Sequence, residues 1–194
     1  TFICILAPTA TSAAVITGML GGSISTLATY TLISNLTVAV LAPFIFSLIG
    51  EHTSMPFFES FGIICRQIIP LLILPLVLAM LLKRFVPKVH HELKSRQQIS
   101  FYLWAVSLTI VMGNTVAFIV NQQNPNYRNE VFIALSALVV CCLRFLIGRR
   151  LGGRFHNKIA GAQGLGQNNT VLAIWMALTY LDPVASIGPA SYVI

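Results

Sequence analysis

A succession of apolar runs, almost never interrupted by charge, constrains this chain more than any other feature. The runs cover about residues 1–20, 23–49, 61–82, 99–120, 131–147 and 158–181, and another begins at about 190. A helix rises about 1.5 Å per residue, so about 20 apolar residues cross a hydrocarbon core of roughly 30 Å. The six complete runs are about that long. Lipid offers no partner to a bare N–H or C=O, so a crossing segment is a helix or a strand of a closed barrel. The short alternating strands of a membrane barrel are absent from the sequence. The expected fold class is therefore all-α, a polytopic transmembrane helical bundle forming one domain over residues 1–194. Composition closes the soluble alternative. Only 9% of residues are charged, where a soluble domain carries about a quarter.

The net charge of +7 raises nucleic acid as a partner, and its placement argues against it. Ten of the twelve Lys and Arg residues lie in two stretches, 83–96 and 144–158. Basic loops at alternate turns are the mark of topology, with the positive loops in the cytoplasm. Both stretches are expected to be cytoplasmic loops of a multi-pass protein in a bacterial inner (plasma) membrane. The loops around Glu51 and Arg128 then face outward. The lipid bilayer is the expected surrounding, and no nucleic acid is expected as a partner. The chain starts without Met and stops just inside a new apolar run, so it is expected to be incomplete at both ends.

No enzyme is expected. His90, His91 and Glu92 sit together in a basic stretch without the HExxH spacing of a zinc site. "GAQGLG" follows no strand and lacks the Lys-Ser/Thr of a phosphate loop. Cys4, Cys65, Cys141 and Cys142 all lie in apolar runs and read as small packing residues.

Two runs break the apolar rule. The first carries Pro8, Thr9, Thr11 and Ser12; the sixth carries Gly164, Gly166, Gln167, Asn168, Asn169 and Thr170. Pro and Gly interrupt a helix, and small polar residues suit the N-cap of a new half-helix. Paired discontinuous helices of this kind point to the site of a secondary transporter. A half-helix N-terminus favours an anion, and unwound carbonyls favour a cation. Thr31 and Asn35 lie four residues apart on one face of the second run, and Asn114 is a further amide within a span.

At these breaks the chain resembles the bile acid:sodium symporter family, from its fourth helix to the start of its tenth. That family's fourth-helix motif reads Pro-Gly-Gly-Thr-Ala-Ser-Asn; here the residues are Pro8, Thr9, Ala10, Thr11, Ser12, Ala13 and Ala14. Its ninth-helix motif reads Glu-x-Gly-x-Gln-Asn; here it is Gln163, Gly164, Leu165, Gly166, Gln167 and Asn168. The resemblance implies part of a ten-helix inverted-repeat transporter, with two broken helices crossing at the substrate. It implies a small organic anion as substrate, bile-acid-like or another carboxylate, and Na+ as coupling ion.

Thr11, Ser12, Asn168 and Asn169 are then expected at the substrate. Thr31, Asn35, Gln163 and Gln167 are expected at the ion or substrate, with sodium held at Gln163 and Gln167. Several of the family's sodium ligands are missing. Its Ser-Asn pair is Ala13 and Ala14, its acidic residue is Gln163, and its fifth-helix Ser and Thr fall on Leu27 and Thr31. A second family site uses backbone carbonyls near Gln163 to Gly166 together with Gln167. The alternatives are a sodium-independent carrier of the same fold, proton-coupled or exchanging, and a channel. A channel wants polar residues along the whole pore, whereas these cluster at one depth.

Overall fold

The computed structural model describes residues 2–10, 12–49, 57–96, 98–121 and 126–192, with the side chains of residues 71 and 100 left aside. Thr11 and the loops around Glu51 and Pro125 lie outside the described residues. The described chain is helical: α1 (Phe2–Leu6), α2 (Ala13–Met19), α3 (Ile24–Ile49), α4 (Phe57–Phe85), α5 (Pro87–Ser95), α6 (Gln98–Val120), α7 (Tyr127–Gly153), α8 (Lys158–Gly166), α9 (Thr170–Tyr180) and α10 (Ile187–Ser191). A 3-10 turn at Pro183–Ser186 joins α9 to α10. Among the described residues only Thr9 and Asn168 pair as an isolated antiparallel bridge.

Among the described residues, four helices are long and apolar enough to cross a membrane: Ile24–Ile49, Phe57–Phe85, Phe101–Val120 and Tyr127–Gly153. Their outer faces are bare and apolar, with Val40, Met80, Val120 and Phe132 all largely exposed. In water such a surface is an aggregation hazard; in lipid it costs nothing. The buried core is small by comparison. It gathers Ile3 from α1, Phe46 from α3, Ile68 from α4, Cys141 from α7, and Met176 and Tyr180 from α9. The broken pair, α1–α2 and α8–α9, supplies much of this interior, and α3 and α7 flank it.

α4 runs on through Pro70 and Pro75. In a membrane a helix tolerates Pro because leaving it would free still more backbone groups. Two boundaries differ from the sequence reading, each for a physical reason. The basic stretch 83–96 is not a loop throughout. Pro87 stands at the first position of α5, where a missing N–H does no harm, and α5 runs to Ser95 with no buried residue. The stretch 144–158 is also largely helical: α7 extends to Gly153 and takes in Arg144, Arg149 and Arg150. Lys158 opens α8.

Glycine makes that last rearrangement fit. A Cβ on Gly148 would run into the Gly161 backbone, and a Cβ on Gly161 into the backbone of Gly148 and Gly152. α7 and α8 therefore pack backbone to backbone, as small residues four apart allow. The turn between them needs His156 at a positive φ of 57°. The same geometry explains why Gly161, Gly164 and Gly166 do not break the sixth run. They lie within α8, and the interruption falls at Gln167, Asn168 and Asn169 themselves.

Candidate functional site: the crossing of two interrupted helices

The two interruptions meet face to face. The Asn169 N–H donates to the Pro8 carbonyl at 2.7 Å, and the Ala10 N–H to the Gln167 carbonyl at 3.0 Å. Each unwound strand thus satisfies the other, which a backbone held away from water requires. Thr9 ties the bridge to both neighbours. Its hydroxyl donates to the Gly164 carbonyl at 3.0 Å, and its N–H donates to the Ser34 hydroxyl of α3 at 3.2 Å. The Asn168 amide nitrogen donates to the Cys4 carbonyl. At this crossing the C-terminal ends of α1 and α8 and the N-terminal ends of α2 and α9 come together.

The sequence-nominated residues do not all play the same part. Asn168 and Ser12 are buried at the crossing, each with a side-chain oxygen that has no hydrogen-bond partner among the described residues. The Thr31 hydroxyl and the side-chain oxygen of Gln167 likewise have no partner among the described residues. Asn169 does different work: its side-chain oxygen caps α9 by accepting the Leu172 N–H at 3.1 Å. That bond and the 2.9 Å bond from the Thr170 N–H to the Asn168 carbonyl use donors expected to be free for an anion. Asn35 is buried on α3, and Gln163 is half-buried on α8. Thr11 lies outside the described residues. Asn114 is exposed on α6.

Residues that the sequence reading did not nominate complete the crossing. Arg144, counted there among the loop charges, reaches in from the middle of α7. Its Nε donates to the Leu165 carbonyl at 2.7 Å, and its Nη1 donates to the carbonyls of Cys4 and, at 3.3 Å, Ile5. The Tyr192 hydroxyl donates to the Gly166 carbonyl at 2.8 Å. Every carbonyl at the C-terminal end of α8 therefore carries a donor. Gln163 has the Gln167 N–H, Gly164 has Thr9, Leu165 has Arg144 and Gly166 has Tyr192. One signal for Arg144 was present in the sequence: it falls inside the apolar run 131–147 and one turn before Gly148.

Two spaces adjoin the crossing. A cavity of about 20 Å³ lies among Trp104, Gln167, Asn168, Thr170 and Tyr192, enough for one water-sized occupant. An open and mostly apolar cleft of about 700 Å³ is bounded by α1, α3, α7 and α8, with Ile5, Tyr30, Ser34, Val38 and Arg144 on its walls. No family model, curated protein or solved structure matches this chain.

Proposed function

We propose that the protein is a secondary transporter of a small organic anion, working by alternating access around the crossing. One observation carries this reading: two interrupted helices pair antiparallel at Thr9 and Asn168, and buried polar atoms on and beside them have no partner among the described residues. Such atoms cost about 1–3 kcal/mol each when left dry, so a bundle that keeps them has a use for them. Breaks of this kind in helical membrane proteins mark substrate and ion sites.

The substrate carboxylate accepts from the Ser12 hydroxyl and the side-chain nitrogen of Asn169. Asn168 has already spent its amide nitrogen on Cys4, so its free oxygen accepts from a substrate hydroxyl or a bound water. The apolar cleft of about 700 Å³ beside the crossing suits the body of an amphipathic carboxylate, in the volume range of small-molecule pockets.

Sodium coupling is what the family resemblance implies. The residues do not fit it well. Ala13, Ala14 and Gln163 offer no charged ligand, and the carbonyls from Gln163 to Gly166 already accept hydrogen bonds. The sodium-independent form of the same carrier is therefore the reading preferred.

The test is thermal unfolding of the full-length protein in detergent with a bile-acid-like carboxylate and with short monocarboxylates. A ligand that binds only the folded state raises the midpoint with concentration. Saturable stabilisation by one of these anions, weakened about tenfold or more in Asn168→Ala (about 1.4 kcal/mol), is the expected result. Unchanged affinity in Asn168→Ala removes the crossing as the substrate site.

A further inference from the structure

We propose that Arg144 is a resident cation of the crossing, standing where a coupling ion would otherwise be needed. The inference concerns the charge balance of the crossing, and only its consequence for transport rests on the carrier reading above.

An arginine in a membrane-spanning helix is expensive, by about 2.5–3.5 kcal/mol at mid-helix on insertion scales. Such residues persist when a carboxylate pairs with them or when they have a task. Among the described residues, the one ion pair is Arg96 with Glu92 on the exposed surface of α5. Arg144 has carbonyls instead, at the C-terminal ends of α8 and α1. A helix C-terminus carries about half a negative charge on its unsatisfied carbonyls. The nine-residue α8 presents that end directly to the guanidinium. Unwound carbonyls and half-helix C-termini are the groups that hold Na+ in transporters with broken helices. Here the guanidinium is tethered to α7 and cannot dissociate during a transport cycle.

The packing that delivers it is specific. On α7, Arg144, Gly148 and Gly152 follow at four-residue intervals; on α8, Gly161 and Leu165 do the same. Gly148 and Gly152 lie against Gly161, and Arg144 against Leu165. Close approach at the glycines sets the register that lands Nε on the last turn of α8. Removing the cation leaves two half-helix ends facing one another as like partial charges. The crossing would then demand a free cation in its place.

The experiment measures thermal unfolding midpoints of the full-length protein in detergent for the wild type, Arg144→Ala, Arg144→Lys and Arg144→Gln. Each is recorded with low-millimolar guanidinium chloride and with sodium and potassium chloride at equal ionic strength. Arg144→Ala is expected to lose about 5 °C or more and to recover part of it in guanidinium, a rise the wild type does not show. Arg144→Lys keeps the charge without the fork and is expected to stay above Arg144→Gln, which keeps a donor without the charge.

Wild-type stability in Arg144→Ala, or equal midpoints for the Lys and Gln variants, would overturn the proposal. The Lys–Gln comparison also decides the matter if the Ala variant does not fold. Failure of any organic anion to bind the wild type would defeat the transport reading while leaving these midpoints to be judged by themselves.

Discussion

The two interrupted helices look alike in sequence and differ in how they are held. The second break, between α8 and α9, is capped on both sides. Thr9, Arg144 and Tyr192 supply donors to the end of α8, and Asn169 caps α9 with its own side chain. The first break, between α1 and α2, makes less use of its polar groups. Ser12 stands at the N-cap of α2 without a side-chain cap bond, and its hydroxyl has no partner among the described residues. One break is a clamp that holds the crossing together; the other keeps a spare hydroxyl. A transport site needs both, because a substrate group can be held only by atoms that the fold has not already spent.

The largest effect is expected where the clamp is built. Gly161→Val places a branched side chain against the backbone of α7, so the cost is about 3 kcal/mol or more. Loss of the monodisperse peak in detergent chromatography is the expected readout, and a well-behaved variant would refute backbone contact between α7 and α8. Asn168→Ala comes next. It leaves the buried Cys4 carbonyl with one donor fewer at the crossing, a cost of about 2 kcal/mol. The folded protein persists with a midpoint lower by several degrees.

Asn169→Ala removes a helix cap, worth about 1 kcal/mol. Hydrogen exchange at Leu172 should accelerate while the amides of α3 keep their protection. Ser12→Ala sharpens the contrast between the breaks, because it removes a buried hydroxyl that makes no bond. Stability is expected to hold or to rise, by up to about 1–3 kcal/mol, while anion affinity falls. A large drop in stability would show that the first break is clamped as well.

Arg144 shows why part of the site was hidden in the sequence. Counted by neighbourhood, it belongs with Arg149 and Arg150 in a basic stretch that fits the positive-inside rule. The two readings separate only when α8 is packed against α7. Asn169 is the converse case. As a carboxamide at the start of a helix it was nominated for ligand, and N-cap geometry turned its oxygen back onto its own backbone. Thr9, in the same break as the nominated Thr11 and Ser12, was passed over because nothing in its spacing announces the Gly164 carbonyl opposite.

The apolar runs by themselves pointed to a helical membrane bundle, because lipid leaves the backbone only helices or closed barrels and the runs lack a barrel's short alternating strands. The clustering of Pro, Gly and carboxamides determined that two of its spans are interrupted. Tertiary structure alone decided what the interruptions do. The side chains that donate to the end of α8 come from the first break, from α7 and from the residue after α10, up to 155 residues away along the chain. A hydrogen bond depends on distance and direction in space, and neither can be read from separation in sequence.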